Sequence, residues 1–193
     1  LGEELKTLVG QEIAANYRIV NHYSERFEDH ESLGEVDGIP VYINKTYLEA
    51  DLKILTGLVE LHLMAGYSGG RKSILPGIAS LETMKHMHGY RMIQEEGTAN
   101  GHLDDNPFHH AAVKVARMAG VDFILNVTLD ESRNVTGVFG GEMEAAHRKA
   151  VELVAASALV EVPEAADIIL TCGGGAPLDA TLYQTLKAVA GCL

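Results

Sequence analysis

Apolar residues recur along this chain at two spacings that alternate with each other. Spacings of three and four residues, typical of one face of a helix, occur over residues 1–15, 78–92, 108–119, 141–158 and 178–190, with a shorter helix predicted over 48–51. Compact apolar runs typical of strands occupy residues 17–20, 38–44, 52–59, 122–128, 135–139 and 167–171. Because strands alternate with helices, the pattern predicts an α/β fold with a mixed or parallel sheet flanked by helices.

A polar stretch near residue 160 divides the pattern in two. Residues 160–166 (VEVPEAA) are typical of a linker, and a strand, a glycine turn and a helix follow them. We predict a first domain over residues 1–160, and over 161–193 a linker with the first β-turn-α unit of a second α/β domain. Because the chain begins with Leu1 and the last predicted helix runs to the chain end, we expect a piece of a longer protein.

Composition and charge narrow the function classes. The chain has 15 Lys+Arg against 27 Asp+Glu, a formal net charge of −12, which argues against a nucleic-acid-binding protein. No run approaches the roughly 20 apolar residues of a membrane span, so we expect no membrane segment. The two cysteines, Cys172 and Cys192, form no disulfide framework and favour a reducing, cytoplasmic location.

A glycine-rich segment over residues 66–73 (GYSGGRKS) is the first candidate site. A phosphate-binding P-loop requires Gly directly before its Lys-Ser pair, and Arg71 stands there instead, so we exclude an ATPase. Glycine amides approach a ligand closely and two cations follow, so the residue types favour a bound phosphate or other anion. The alternative is a tight turn with two solvated cations. A lysine beside a second cation, as Lys72 is, can also act as a nucleophile or covalent attachment point.

Histidine is abundant, with nine residues, and several lie at the ends of predicted elements. His62 follows the predicted strand 52–59, and the ends of parallel strands are where α/β proteins build their sites. Imidazole serves as a general acid or base, or as a metal ligand. His86 and His88 are two residues apart and cannot share a helical face, so we expect at most one of them to point into a site. The alternative for each histidine is a surface or satisfied core residue.

Read together, these segments resemble the nickel-dependent lactate racemase family. The likeness is carried by residues 62–77 (HLMAGYSGGRKSILPG), and it continues at His88, Gly97-x-x-x-Gly101, Asn106-Pro107, Asn126, Ala146-His147-Arg148 and Tyr183-Gln184-x-x-Lys187. It covers essentially the whole chain. The resemblance implies that the full-length protein is an isomerase, a racemase or epimerase of 2-hydroxy acids that inverts the α carbon by reversible hydride transfer.

The resemblance also implies a cofactor and a role for each matching residue. The cofactor would be a nickel pincer nucleotide (nickel pyridinium-3,5-bisthiocarboxylate mononucleotide) joined covalently to Lys72. His88, rather than His86, would ligate the nickel, and His62 would be one of two acid/base histidines. Ser68, Gly69, Gly70 and Arg71 would bind the cofactor, whereas Tyr183, Gln184 and Lys187 would bind the substrate.

The resemblance leaves part of the site outside this sequence. The second acid/base histidine would lie before Leu1, and dedicated maturation proteins would install the cofactor, so we expect the chain alone to be inactive. The alternative function is a non-catalytic nucleotide- or phosphate-binding α/β module. In that case, changes at Arg71 or Lys72 would abolish ligand binding, and a change at His62 would not.

Overall fold

The N-terminal segment is helical but contains no strand. In the computed structural model, which describes residues 2–164, 166–173, 175–176, 180–182 and 187–189, two helices replace the one predicted over 1–15: α1 (Gly2–Val9) and α2 (Gln11–Asn16). They are separated at Gly10, whose φ of 88° does not fit a helix. The strand predicted over residues 17–20 is wrong, because this exposed stretch pairs with no described strand and apolar residues alone do not make one.

A β-hairpin that the apolar pattern only half predicted follows. Strand β1 (His30–Val36) pairs antiparallel with β2 (Ile39–Asn44). Its turn is Asp37–Gly38, with φ of 52° and 79°, and an Asp-Gly pair is among the strongest hairpin signals in a sequence. Strand β1 was missed because its sequence, HESLGEV, is mostly polar and is interrupted by a bulge next to Gly34.

The main sheet carries the functional segments on one side. After the short helix α3 (Lys45–Leu48), strand β3 (Ile54–Leu58) runs parallel to β6 (Phe123–Leu129), and β7 (Val135–Gly141) pairs antiparallel with β6. The predicted mixed sheet is confirmed. Strand β6 lies in the middle, with Asn126 opposite Gly57 of β3.

The chain between β3 and β6 contains the short elements that bear most candidate site residues. Strand β4 (Leu61–His62) pairs with β5 (Gly66–Tyr67), and a 3-10 turn follows over Gly70–Ser73. The helix predicted over residues 78–92 is divided into α4 (Leu81–Met87) and α5 (Tyr90–Ile93), because the chain turns to an extended conformation at Gly89.

Two longer helices, both predicted from the sequence, pack on different strands, the first on β1 and the second on the main sheet. Helix α6 (Pro107–Ala119) begins at Asn106, whose side chain accepts the amide of His109 at 3.1 Å, and ends at Gly120. Helix α7 (Met143–Ala158) packs on β6 and β7. The main core joins residues of the hairpin, the sheet and both helices, among them Val41, Ile43, Ile124, Phe108 and Ala146.

The chain after α7 departs from one prediction. Residues 167–171, predicted as a strand, have no strand partner in the described part of the chain, and Leu170 is 99% exposed. A strand exists through its hydrogen-bonded neighbour, which apolar sequence does not supply. Residues 182 and 187–189 are helical, as predicted, whereas Tyr183 and Gln184 lie outside the described residues. Within the described ranges, no helix is both long enough and apolar enough to cross a bilayer.

Candidate active site

The glycine loop is held tightly against the sheet and α7. Gly69 and Gly70 adopt φ of 76° and 53°. A Cβ on Gly69 would lie 2.7 Å from a methyl of Val59, and one on Gly70 would lie 2.9 Å from the ring of His147. The absence of a side chain at these glycines therefore lets the loop pack closely against neighbouring protein atoms. The residue types had instead favoured glycine amides that approach a bound anion.

Asn126 fixes this loop from the middle of the sheet. Its side chain is fully buried, and its Oδ1 accepts the amide of Gly70 at 2.8 Å. Ser68 secures the start of the loop, since its hydroxyl donates to the carbonyl of Leu58 at 2.8 Å and accepts the amide of Glu60 at 2.9 Å. The Ser68 side chain is thus engaged with the protein backbone.

Arg71 points into the protein, so the alternative of two solvated cations is wrong. The residue is 1% exposed, and its guanidinium donates to the carbonyls of Ala65 at 2.8 Å and Gly69 at 3.3 Å. It also lies 2.8 Å from Nε2 of His147. Burial lowers the pKa of Arg71 to about 9.

Lys72 points the other way, into a half-buried space above Phe108. Its Nζ lies 5.9 Å from the centre of the Phe108 ring. Burial, with help from the charges of Arg71 and Lys187 and against that of Glu60, lowers the pKa of Lys72 to about 7. A large share of this amine is therefore neutral near neutral pH, and the neutral form is the nucleophilic one.

His88 packs on the same aromatic ring from another side. Its ring centre lies 5.6 Å from that of Phe108, edge to face. Its Nδ1 lies 3.1 Å from the carbonyl of Met84, an acceptor, so this nitrogen carries the proton and Nε2 keeps its lone pair. A carbonyl partner on one ring nitrogen is the usual arrangement of a metal-binding histidine, which then ligates through the other.

The structure separates His86 from His88. His86 is exposed and lines a different cavity of about 280 Å³, together with Asp37, Arg91 and Glu95. His88, and not His86, packs on the ring of Phe108 over which the Lys72 amine lies. Which of the two would ligate a metal stays a prediction. No cluster of three or more His, Cys, Asp or Glu side chains suited to a metal occurs in the described part of the chain.

His62 has a defined protonation pattern. Its Nδ1 accepts the amides of Met64 and Ala65 at 3.2 and 3.1 Å. The neutral ring must then carry its proton on Nε2, which acts as a hydrogen-bond donor. Burial, followed by the charges of Lys72, Lys187, Arg71 and His88, lowers the pKa of His62 to about 3, so the ring stays neutral at physiological pH.

A cavity of about 240 Å³ lies beside His62 and is also lined by Glu60, Asn100 and Lys187. The Oδ1 atom of Asn100 is buried there and has no partner among the described residues. Lys187 is exposed and belongs to the described part of the last helix. The cavity therefore brings together the His62 donor, an unpartnered amide oxygen, a cation and the Glu60 carboxylate, which suits a small molecule that both accepts and donates hydrogen bonds.

Residue-type reasoning did not single out Phe108 or Asn100. Phe108 was assigned only to the first turn of a helix, yet it is the surface on which Lys72 and His88 meet. Asn100 lies in a loop predicted from composition alone, and no local pattern tells which loop amide faces a cavity. His147 was noted only as part of the family likeness, without a role.

The fold and this site define a class: an α/β domain in which a lysine and a histidine pack on one aromatic ring next to a glycine loop, and a second histidine lines a small cavity. The family model described as the lactate racemase N-terminal domain matches residues 2–101. The lactate racemase of Thermoanaerobacterium thermosaccharolyticum is 39% identical over 188 residues, and that of Lactiplantibacillus plantarum is 41% identical over 189 residues. The chain belongs to the lactate racemase family.

Solved structures agree with this assignment. The lactate racemase apoprotein from T. thermosaccharolyticum superimposes with a TM-score of 0.92 at 40% identity, over 96% of this chain and 44% of that one. A protein from Thermotoga maritima, at 23% identity and a TM-score of 0.66, shares the fold over 81% of this chain and 43% of its own. The alignments cover 97% of this chain but only 44% of the length of each curated relative.

Proposed function

We propose that this chain forms the lysine-bearing part of the active site of a nickel-dependent racemase or epimerase of 2-hydroxy acids. The observation that carries the proposal is the convergence of Lys72 and His88 on Phe108, next to His62. Family membership supports the reaction class, since curated relatives are lactate racemases. Residues 1–160 would be the cofactor domain, and 161–193 would lead into a second domain.

The chemistry of Lys72 fits covalent attachment of a nickel pincer nucleotide. An amine whose pKa lies near 7 is nucleophilic at neutral pH, and attachment through a thioamide needs that form. The amine is half-buried above an aromatic ring, where a planar pyridinium group could also pack. Lys72 would therefore be the tether.

The chemistry of His88 fits a single protein ligand to nickel. The carbonyl of Met84 holds the proton on Nδ1, which leaves the Nε2 lone pair for a metal, and imidazole suits nickel. The other ligands would come from the bound group. When bound, that group would supply a hydride acceptor for the hydrogen on the substrate α carbon.

Two residues beside the small cavity would hold the substrate. Lys187 offers a cation to the carboxylate of a 2-hydroxy acid, and Nε2–H of His62 donates to its oxygen at C2. Before His62 could take a proton at Nε2, its proton would have to move to Nδ1, which faces the amides of Met64 and Ala65. His62 is thus set up first to orient the oxygen, and its proton transfer requires this local rearrangement.

Gly69, Gly70, Ser68 and Arg71 would contribute to cofactor binding by shaping the loop. The Arg71 guanidinium donates to main-chain carbonyls of the loop, so it would support the loop from the protein interior. Because Arg71 is buried, direct contact between its side chain and the cofactor is not favoured. Tyr183 and Gln184 remain expected substrate contacts outside the described residues. Maturation proteins and a cytoplasmic location also remain part of the proposal.

The test is a racemisation assay of the full-length protein, produced with cofactor-installing proteins and nickel, against a panel of 2-hydroxy acids. We expect inversion of at least one acid, measured by chiral chromatography, and an adduct on the Lys72 peptide, measured by mass spectrometry. The Lys72→Ala variant should lose both. Full activity with an unmodified Lys72 would contradict the proposal.

Two histidine variants distinguish a catalytic role of His62 from a general loss of folding or stability. His62→Asn should keep the adduct but lower the racemisation rate on the order of 100-fold or more, as loss of a general acid or base does. His110→Asn is the matched control, because His110 is exposed and its ring contacts the carbonyl of Asp104 and the ring of His109. Equal rates in the two variants would remove His62 from the mechanism. Nucleotide binding without any racemisation would favour the binding-module alternative.

A further inference from the structure

The Arg71 guanidinium is a fully buried cation that forms no ion pair with an acidic side chain of the described residues. In the described part of the chain its contacts are two main-chain carbonyls and the ring of His147, and its Nε has no partner. Isolated buried charges are costly and are normally paired with a carboxylate. Because this buried charge costs stability, we look for a role of Arg71 other than stabilising the fold.

His147 is the side-chain partner of this cation. The residue is 2% exposed, and its Nε2 lies 2.8 Å from the guanidinium and 2.8 Å from the carbonyl of Ser68. The guanidinium can only donate and the carbonyl can only accept, so the same ring nitrogen lies between a donor and an acceptor of the glycine loop. In either tautomer of the neutral ring, Nε2 forms a hydrogen bond to one end of residues 68–71.

The two side chains hold the glycine loop from both sides. Arg71 reaches back to the carbonyls of Ala65 and Gly69, and so ties the end of the loop to its beginning. The ring of His147 packs against Gly70 so closely that a Cβ there would lie 2.9 Å from it. Lys72 directly follows Arg71 in the chain, so the direction of its side chain depends on the path of this loop.

We propose that Arg71 and His147 are positioning residues for Lys72: as a buried pair they fix the loop from which the Lys72 amine projects onto Phe108. The inference rests on the proposed role of Lys72 as the attachment point. It assigns the pair no contact with substrate or cofactor. His147 would act as a neutral hydrogen-bonding partner, and Arg71 as the residue that joins the two ends of the loop.

The position so fixed also sets the electrostatic surroundings of the amine. Besides burial, Arg71 and Lys187 disfavour the charged form of Lys72, whereas Glu60 favours it. His62, which faces the same space, stays neutral. A displaced loop would expose the amine to water and restore ordinary lysine behaviour.

The first test measures the reactivity of Lys72 in the 193-residue chain without any cofactor. Acetic anhydride is applied in pulses across a pH series, and acetylation of each lysine is quantified by peptide mass spectrometry. We expect Lys72 of the wild type to react with a midpoint near 7. Lys114, which pairs with Asp37 on the surface, serves as the internal reference. In Arg71→Met and His147→Phe the midpoint should rise by about one unit or more, which makes acetylation near neutral pH about fivefold slower.

Matched variants separate positioning from mere folding. His147→Gln keeps an acceptor oxygen and should keep the Lys72 midpoint near that of the wild type. Arg148→Met removes a neighbouring, exposed arginine that pairs with Asp104, and should leave the midpoint unchanged. Folding of each variant is checked by circular dichroism. An unchanged Lys72 midpoint in folded Arg71→Met and His147→Phe would overturn the proposal.

A second measurement needs no variant. Long-range proton–nitrogen NMR spectra of the wild type report the protonation of each histidine ring. We expect His147 to show one protonated and one unprotonated ring nitrogen between about pH 5 and 8, since burial and Arg71 lower its pKa to about 3. Protonation of both ring nitrogens within that range would overturn the proposal, because a cationic ring would not stay 2.8 Å from the Arg71 guanidinium. Neither test involves racemisation, so failure of the proposed function and failure of this inference give different results.

Discussion

At the scale of single residues, Asn126 connects the sheet to the candidate site. It occupies the middle of the central strand β6, where an apolar side chain would be usual, and it is fully buried. Its Oδ1 accepts the amide of Gly70, while its Nδ2 has no partner among the described residues. The role of a polar residue in this position is therefore to bind the amide of Gly70 and fix the glycine loop.

We predict that Asn126→Leu, which has a similar volume, destabilises the chain by about 1–3 kcal/mol, because the buried amide of Gly70 loses its acceptor. Urea unfolding measures the change. Asn16→Leu is the control, since Asn16 is exposed and caps only its own short helix, and it should cost less than about 0.5 kcal/mol. Similar losses at the two positions would contradict this role for Asn126.

At the scale of elements, glycines with positive φ have two distinct functions. Gly38 forms the hairpin turn with φ of 79°, and a Cβ there would meet open space. Gly66 begins the loop of the site with φ of 71°, and a Cβ there would lie 1.7 Å from the carbonyl oxygen of His102. The first needs glycine for its backbone conformation only, and the second also needs it for space.

We predict that Gly38→Ala lowers the free energy of unfolding by about 1–2 kcal/mol, the usual cost of a left-handed conformation. Gly66→Ala should cost about 1–3 kcal/mol more, because the loop must also move away from His102. Urea unfolding of the two variants gives the difference directly. Equal losses would mean that the chain near Gly66 has room to relax.

The elements also show what the sequence can and cannot predict. Periodicity found α6, α7, β2, β3, β6 and β7 from their apolar residues. Burial follows that pattern in β2, whereas β7 buries none of its residues and β6 buries Asn126 and Thr128 while Leu125 is exposed. Periodicity missed β1, whose residues are mostly polar, and it wrongly predicted a strand over residues 17–20, where no sheet neighbour exists in the described residues. In the site, the family likeness selected His62, Lys72 and His88, but the inward direction of Arg71 depends on tertiary packing that no local pattern encodes.

At the scale of the whole molecule, buried neutral histidines link stability to pH. Burial, followed by the charge of Arg71, lowers the pKa values of His109 and His147 to about 3 each. In the unfolded chain both titrate near 6.5. Between about pH 3 and pH 6.5 the unfolded chain binds protons at these histidines and the folded chain does not. Their contribution to the free energy of unfolding is therefore complete above about pH 6.5 and is lost as the pH falls.

We predict that the free energy of unfolding falls by about 1.4 kcal/mol per pH unit for each of these two histidines as the pH drops below 6.5. Urea unfolding at a series of pH values from about 7.5 to 5 measures the slope, above the range in which most carboxylates titrate. His147→Gln should reduce the slope by one proton, and His110→Gln, at an exposed position, should not. A slope that His147→Gln leaves unchanged would show that His147 titrates normally.

The inward-facing Arg71 and the cation near the small cavity have a consequence for how an anion reaches this chain. The chain carries a formal charge of −12, so an approaching anion is first repelled by the molecule as a whole. Near the cavity, the cation of Lys187 attracts it instead. Added salt screens the distant repulsion more than the attraction at contact, since the Debye length is about 8 Å at physiological ionic strength. Moderate salt should therefore speed anion entry, the reverse of the usual dependence for a positively charged protein that binds anions.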